Sequence, residues 1–391
     1  MKISDLVEVN DSSASSRYDS RRVSMGHFIE DYIDGKVDIN KDLLELLWED
    51  KDDVFEFDYT KHHYKFFVTR MIPEVVIHSK KQDERIIRSH YDNQNDLFNW
   101  FLGDRMIYTS CYYTSEDETL EQAQDNKLDL IAHKMQLKAG EELLDIGCGW
   151  GTLIAHFAKY YDVNTTGVTI AEAGAEWARK QIKEYGAEDK AQVWVKDYRD
   201  IPKNKKYDKI TCLEMAEHVG IKYFRKFMKQ CYNLLKDDGI FYIQIAGLRE
   251  RDNVFMKENR EDLVWGLFMN EYIFSGADAS MPLHWDLKQI EKAGFEVQSV
   301  ENIGIHYSKT INAWYDNWMG NKEKVLEKYG ERTFRIYEIF LAWSTVIAHN
   351  GGSTAYQIVC HKNTNDFNRA RFIHESALCS GVDFKKNKVM A

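Results

Sequence analysis

The chain has 391 residues, 44% hydrophobic and 29% charged, which excludes wholesale disorder and predicts roughly two or three domains. Its six cysteines contain no C-x-x-C pair, which excludes a zinc ribbon and a disulfide scaffold, and no metal site is predicted. The net charge of −11 excludes a basic nucleic-acid-binding surface. We expect a cytoplasmic protein, because the start shows no apolar signal segment and no run of about 18 apolar residues predicts a transmembrane helix.

The first 60 residues carry most of the negative charge, with 16 acidic and 7 basic side chains. Residues 1–24 are rich in Ser and Asp and show no period, which predicts a disordered arm. The segment INKDLLELLWED that follows predicts a helix. We therefore expect residues 1–60 to form an acidic, partly disordered N-terminal arm.

Residues 61–135 place apolar side chains at helical spacing. The segments YDNQNDLFNWFLGDRM and TLEQAQDNKLDLIAHKM both predict amphipathic helices. This region is predicted to be a helical N-terminal cap.

From Glu141 onward, short apolar runs alternate with amphipathic segments. Strands are predicted at ELLDI, NTTGVTI, AQVWVKDY, KITCLEM and IFYIQIAG, with helices between them, one of which ends at Gly239. This alternation predicts an α/β fold with a parallel sheet covered on both faces, which binds ligands beyond the carboxyl ends of its strands.

Past Gly247 the pattern predicts mainly helices. Residues 248–284 are aromatic-rich and are predicted to be a helical insertion that roofs the site. A helix and strand at QIEKAGFEVQSV, a helical stretch at 311–348 and a last strand at AYQIVCHK complete a domain predicted to span residues 136–362. Residues 363–391 form a tail that ends in the basic stretch KKNKVM.

A glycine loop, DIGCGWG at residues 145–151, follows the first predicted strand and opens a helix. Its G-x-G-x-G spacing is not the dinucleotide G-x-G-x-x-G, and it lacks the G-K-[ST] of a phosphate loop. Glycines in this context predict a ligand that approaches the main chain closely.

The string ELLDIGCGWG is typical of methyltransferases that use S-adenosyl-L-methionine (SAM). Further motifs follow in order, among them MIYTS, QDNKL, DYRDIP, ITCLEMAEHVG, QIAGLR, YIFSGADAS and IHYSKT. Over about residues 85–362 the sequence resembles the cyclopropane-fatty-acyl-phospholipid synthase family, and within it the fungal sphingolipid C9-methyltransferases. The resemblance implies a Rossmann-like methyltransferase sheet and SAM as the cofactor.

The resemblance also implies which residues hold SAM. The loop glycines would let the methionine portion approach the backbone, and residues after the second and third strands would meet the ribose and the adenine. The implied cofactor-binding residues are Tyr108, Thr109, Asp145, Gly147, Gly149, Thr169, Ile170, Asp197, Tyr198 and Glu214.

Methyl transfer to an alkene leaves a carbocation that must lose a proton. In the cyclopropane synthases a glutamate, a cysteine, a histidine and a tyrosine hold a bicarbonate ion that takes this proton. Glu217 and Tyr307 match two of them, whereas Ser110 and Gln244 stand at the cysteine and histidine positions, which leaves bicarbonate open. With His218 these are the candidate catalytic residues, and we expect Glu217 to lie near the departing proton.

The Ser and Gln pattern resembles the sphingolipid enzymes, whose product is a methyl branch on a retained double bond. A lipid acceptor is therefore expected. A small amine stays open, because LEMAEH resembles the E-M-F-E-H of coclaurine-type N-methyltransferases. A SAM-binding protein without catalysis is a third reading, against which Glu217 and Tyr307 argue.

Membrane contact is the remaining expectation. The fungal sphingolipid enzymes carry hydrophobic spans before the catalytic domain, and no such span is predicted here. Either the protein docks peripherally through residues 61–80, or its substrate is more soluble. The basic residues of that segment and its border are Lys61, Lys65, Arg70, Lys80 and Lys81.

Overall fold

The structure is a computed structural model that describes residues 2–71, 94–250, 259–275 and 281–373. It divides into two compact units. The first unit takes its described residues from Met1–His78, Leu248–Ala277 and Tyr307–Ser353, and the second takes them from Ser79–Gly247, Asp278–His306 and Thr354–Ala391.

The helices and strands of the described residues are as follows. The helices are α1 (Ser15–Tyr18), α2 (Met25–Ile33), α3 (Leu43–Glu49), α4 (Lys51–Val54), α5 (Lys61–Phe66), α6 (Asn95–Leu102), α7 (Leu120–Lys134), α8 (Thr152–Tyr161), α9 (Glu172–Glu184), α10 (Ile221–Leu234), α11 (Arg260–Phe268), α12 (Leu283–Lys292), α13 (Gly304–Gly320) and α14 (Lys322–His349). The strands are β1 (Val7–Val9), β2 (Val23–Ser24), β3 (Val37–Ile39), β4 (Phe55–Glu56), β5 (Glu142–Ile146), β6 (Asn164–Thr169), β7 (Ala191–Val195), β8 (Tyr207–Leu213), β9 (Leu235–Leu248), β10 (Phe295–Asn302) and β11 (Ser353–Lys362).

The N-terminal segment is folded, so the prediction of disorder is wrong for residues 2–24, whereas the helix predicted within INKDLLELLWED is present as α3. Strand β1 pairs antiparallel with β3, and β2 pairs parallel with β4. Ile3, Tyr18 and Val37 are buried. The segment orders because scattered apolar side chains find burial at positions that follow no single period, which a periodicity argument misses.

Within the first unit, α14 anchors this segment. The Tyr32 hydroxyl donates to the Glu338 carboxylate at 2.6 Å. The Arg335 guanidinium donates to the backbone oxygens of Tyr32 and Val37, at 2.8 and 2.9 Å. The first and third stretches of the unit are therefore joined by contacts between residues far apart in sequence. The predicted division into residues 1–60, 61–135, 136–362 and 363–391 stays a prediction.

Replacing Tyr32 by phenylalanine is expected to lower the free energy of unfolding by about 1–2 kcal/mol, because the buried Glu338 carboxylate loses its donor. Urea unfolding followed by tryptophan fluorescence measures the change. The control is Tyr64→Phe, since Tyr64 is 63% exposed and should leave stability unchanged. Equal stabilities of the two variants would contradict the prediction.

The second unit contains a seven-stranded sheet in the order β10-β11-β9-β8-β5-β6-β7. Strand β5 pairs parallel with β6 and β8, β6 with β7, and β8 with β9, whereas β10 and β11 run antiparallel to each other. The predicted α/β fold class is confirmed. Parallel strands bring their carboxyl ends to one edge, where a ligand site is expected.

One predicted boundary is wrong. The helix expected to reach Gly239 ends at Leu234, and Leu235 already belongs to β9. Leu235 is buried and pairs with Tyr207 of β8, so extending the sheet outweighs another helical turn.

Part of the predicted insertion is helical, since α11 is followed by a π-helical turn at Met269–Ile273. Residues 251–258 and 276–280, Lys80, Lys81 and the KKNKVM stretch lie outside the described residues. That the insertion roofs the site stays a prediction. Among the residues that the structure describes, every helix is too short or too polar to cross a membrane.

Candidate active site

A cavity of about 200 Å³ lies at the carboxyl ends of β5, β6, β7 and β8 in the second unit. All of the residues predicted to bind the cofactor line this cavity: Tyr108, Thr109, Asp145, Gly147, Gly149, Thr169, Ile170, Asp197, Tyr198 and Glu214. Parallel pairing causes this convergence, because residues far apart in sequence leave the sheet at one edge. What each residue does there stays a prediction.

The glycine loop forms the floor of the cavity. The backbone N–H groups of Gly147 and Cys148 donate to the Val168 oxygen at 2.9 and 3.1 Å, which ties the loop to β6. Gly149 has φ +52°, and a Cβ added there would meet no atom within 4 Å. Its main chain is thus open toward the cavity, as a closely approaching ligand requires. This cradle fits the methionine portion of SAM.

Asp145 is a buried carboxyl group at the end of β5. The Thr211 hydroxyl donates to its Oδ1 at 2.7 Å. Burial raises the pKa of Asp145 to about 6, while the Thr211 hydrogen bond and the Lys127 ammonium act in the opposite direction. The group is therefore ionised at neutral pH and places a negative charge at the cavity wall.

SAM affinity is expected to fall as the pH is lowered through about 6, by up to roughly tenfold per pH unit, if the Asp145 carboxylate holds the ligand amine. The sign follows because protonation removes the negative charge that attracts this cation. Titration calorimetry across this pH range measures the effect, and Asp145→Asn is the matched control that should remove this slope. Parallel pH profiles of the two proteins would exclude this role.

Lys127 is a cavity residue that the sequence reasoning missed. Its side chain is buried on α7, and its ammonium donates to the Thr109 hydroxyl. Burial lowers the pKa of Lys127, and the charges of Cys111, Glu214 and Asp145 oppose that shift. The sequence did contain a signal for this residue. Lys127 lies one helical turn from both Ala123 and Ile131, on the buried face of α7, where an unpaired lysine is rare.

Residues at the end of β6 and after β7 also line the cavity, among them Thr169, Asp197 and Tyr198. Asp197 accepts from the Arg199 backbone N–H at 2.8 Å and from the Arg199 guanidinium at 2.7 Å. The Tyr198 ring packs edge-on against Phe227, with centroids 5.0 Å apart. Arg199 also lines the cavity and was not predicted, because its link to Asp197 arises from a local turn.

The turn after β8 carries two glutamates, Glu214 and Glu217, which we call the acidic cluster. Glu214 has φ +49°, a left-handed conformation that is uncommon for a residue with a side chain. Its Oε1 accepts from the Ser110 backbone N–H at 3.1 Å and from the Gln244 amide at 2.6 Å. The structure thus brings Ser110 and Gln244 together around Glu214, which had been assigned to the cofactor.

The other predicted catalytic residues lie in different surroundings. His218 lines the cavity, whereas Glu217 is buried beside it and is not a lining residue. The Glu217 Oε1 accepts from the Ala246 backbone N–H. Burial, and secondarily the charge of Glu214, raise the pKa of Glu217 well above its usual value. Tyr307 belongs to the first unit, where its ring meets Trp314 edge-on, and its role stays a prediction.

A bicarbonate ion does not fit these residues. The Ser110 N–H and the Gln244 amide are donors that could bind an anion at this place, and both already bind the Glu214 carboxylate. The Ser110 hydroxyl donates to the Cys111 oxygen at 3.1 Å. A second anion beside Glu214 would meet like charge.

Comparison with known proteins places these features in a family. The sequence profile described as mycolic acid cyclopropane synthetase matches residues 78–358. The chain belongs to this family. The sphingolipid C9-methyltransferase of Komagataella phaffii is 46% identical to this family member over 382 residues, which cover 95% of this chain and 77% of that relative.

Solved structures show the same fold. A mycolic acid cyclopropane synthase complexed with SAH and CTAB has a TM-score of 0.68 at 24% identity, covering 71% of this chain and 98% of that one. A coclaurine N-methyltransferase bound to N-methylheliamine and SAH has a TM-score of 0.65 at 17% identity, covering 86% and 99%.

This cyclopropane synthetase family member is a SAM-dependent methyltransferase, as the resemblance implied. When bound, SAM supplies a methyl group made electrophilic by its sulfonium sulfur. Of the chain's own residues, the glycine loop would hold the methionine portion and Asp145 its amine. Thr169, Asp197 and Tyr198 would hold the nucleoside.

Proposed function

We propose that the protein transfers a methyl group from SAM to a double-bond carbon of a sphingoid-base chain. The product carries a methyl branch on a retained double bond. The observation that supports this acceptor most strongly is the likeness to a sphingolipid C9-methyltransferase over nearly the whole chain. The cavity at the strand ends, with its open glycine backbone, supports the donor side.

The cavity supports this chemistry through its shape and charge. Met106, Ile107 and Leu213 give it apolar walls that limit the access of water to a carbocation. The Asp145 carboxylate at the cavity wall favours a cationic donor, and the Glu214 carboxylate favours a cationic intermediate. Held in this geometry, the alkene and the methyl group react without the entropy cost of a bimolecular encounter.

An exposed apolar patch supports uptake of the acceptor from a membrane. Tyr64, Phe67 and Val68, on α5 and the turn after it, are 63%, 45% and 63% exposed. Lys65 and Arg70 are exposed close to them in sequence. Apolar and basic side chains in combination favour binding to an anionic bilayer surface.

The double variant Lys65→Glu/Arg70→Glu is expected to reduce binding to phosphatidylserine-containing vesicles about tenfold or more, since each basic residue contributes about 1 kcal/mol at such a surface. Vesicle sedimentation measures this, with phosphatidylcholine vesicles as the uncharged control. Unchanged binding to the anionic vesicles would contradict a role for this patch.

The acceptor is tested with the full chain, methyl-labelled SAM and separate acceptor panels. The first panel contains ceramides and glucosylceramides with an unsaturated sphingoid base, and the second contains unsaturated phospholipids. The third contains benzylisoquinoline amines. We expect the label in the sphingolipids, and mass spectrometry should locate one added methyl group on a retained double bond.

Matched ceramides with a saturated base are the control and should stay unlabelled, because the double bond is the nucleophile. Label in the amines alone would replace the lipid assignment by N-methylation. Label in phospholipids alone, or a cyclopropane ring in the product, would exclude the sphingolipid C-methylation proposed here.

A further inference from the structure

We propose that the Glu214 carboxylate is the proton acceptor of this reaction and takes the place that an external bicarbonate ion would otherwise fill. The inference rests on the proposed function, because an alkene acceptor is what requires a proton to leave. Three features of the second unit carry it: the backbone at Glu214, its two donors, and the different surroundings of Glu214 and Glu217.

The backbone at Glu214 is held in a conformation that favours glycine. With φ +49°, the residue lies in the left-handed region, where its Cβ makes the backbone conformation unfavourable. Its backbone N–H donates to the backbone oxygen of Gln244 at 2.8 Å, which fixes the turn at the end of β8. Strain of this kind persists at functional sites when surrounding contacts fix it, and here it directs a carboxylate to the cavity wall.

Two donors orient the carboxylate. The Gln244 Oε1 accepts from the Tyr242 hydroxyl at 3.3 Å and faces the Gln357 amide at 3.5 Å, so its NH₂ group is the end that meets Glu214. The Ser110 N–H approaches the same Oε1 from the segment before α7. A backbone N–H and a carboxamide do not accept a proton from carbon, whereas the carboxylate between them does.

The two glutamates of the turn lie in different surroundings. Burial and the charge of Glu214 raise the pKa of Glu217, so Glu217 is the member that favours its neutral form. The Glu214 carboxylate accepts two hydrogen bonds at one oxygen, and the Lys127 ammonium interacts favourably with it. Glu214 lines the cavity and Glu217 lies buried behind it, so Glu214 is the carboxylate placed to act as the base.

The step balances without a further reagent. The alkene π pair forms the new C–C bond to the methyl carbon, and the C–S pair returns to sulfur. The adjacent chain carbon becomes cationic. A C–H bond next to it breaks, its electron pair forms the new C=C bond, and its proton passes to a Glu214 oxygen. Solvent then takes that proton from the carboxyl group.

The first test replaces Glu214 by glutamine. We expect lipid methylation to fall about 10²–10⁴-fold, while calorimetry finds SAM affinity within about threefold of the wild type, a change of under 1 kcal/mol. The control is Glu188→Gln, the same change at an exposed glutamate, which should keep full activity. Wild-type activity should be the same in CO₂-free buffer and with added bicarbonate.

The second test uses Glu214→Gly, which suits the left-handed backbone and leaves the Ser110 and Gln244 donors without their acceptor. Formate titrated calorimetrically should bind this variant and not the wild type. Lipid methylation by the variant should be absent in CO₂-free buffer and partly restored by formate or bicarbonate.

The outcomes separate the two proposals. A wild-type enzyme that labels no lipid overturns the proposed function and this assignment with it. A wild type that labels lipid, together with a fully active Glu214→Gln, overturns the assignment alone. Strict dependence of the wild type on bicarbonate, or loss of activity in Glu217→Gln but not in Glu214→Gln, overturns it as well.

Discussion

Replacing Gly149 by alanine is expected to weaken SAM binding about 30-fold or more, which corresponds to roughly 2 kcal/mol. The added methyl group would enter open space at a residue that lines the cavity, where we propose that SAM approaches the main chain. The protein itself meets no clash, because no atom lies within 4 Å of that position. Calorimetric titration of the folded variant with SAM measures the loss.

Gly186→Ala separates ligand exclusion from backbone strain. Gly186 follows α9, has φ +63°, and also has no atom within 4 Å of an added Cβ, yet it does not line the cavity. Both substitutions should cost about 1 kcal/mol of stability, since each places a side chain in the left-handed region. If both weakened SAM binding equally, strain and not proximity to the ligand would explain the first result.

Replacing Lys127 by methionine should have the largest effect on stability. The variant leaves the buried Asp145 carboxylate and the half-buried Glu214 carboxylate without the cation that interacts with both. Removing one partner of a buried charged group costs about 3–5 kcal/mol. The pKa of Asp145 should rise above about 6, because the Lys127 ammonium holds it down. Urea unfolding and the pH dependence of SAM affinity measure the two effects.

A double-variant cycle provides the control. In Lys127→Met/Asp145→Asn the loss should be smaller than the sum of the two single changes, because the asparagine no longer needs a counter-charge. The Nζ of the exposed Lys180 lies 3.6 Å from the Oε1 of Glu184. Lys180→Met should therefore change the free energy of unfolding by less than about 1 kcal/mol. Strict additivity at Lys127 and Asp145 would show that the two groups do not interact.

The sheet could be predicted because its strands are short apolar runs bounded by glycines and by helical periodicity. Which stretches of the chain form the first unit could not be predicted. Tyr32 and Glu338 are 306 positions apart, and no local pattern in the sequence joins them. The predicted end of α10 was wrong because Leu235 pairs with Tyr207 of β8. This long-range contact outweighs the local helix propensity of Leu235.

That the candidate residues line one cavity could be predicted for a physical reason: residues just after parallel strands meet at one edge of the sheet. The geometry of the acidic cluster could not be predicted from sequence alone. Its geometry depends on the positive φ of Glu214 and on a backbone donor from Ser110, neither of which a side-chain pattern reveals. Motif matching placed the emphasis on Glu217, although Glu214 is the glutamate of this turn at the cavity wall.

The separation of Tyr32 from Glu338 also has a consequence for biosynthesis. At translation rates of about 5–20 residues per second, the ribosome takes roughly 15–60 s to supply α14 after the N-terminal segment has emerged. During that interval Tyr32 lacks its acceptor and the backbone oxygens of Tyr32 and Val37 lack the Arg335 donor. The N-terminal segment thus lacks these bonds until α14 emerges, and a ribosome that stalls before residue 338 leaves it without its anchor.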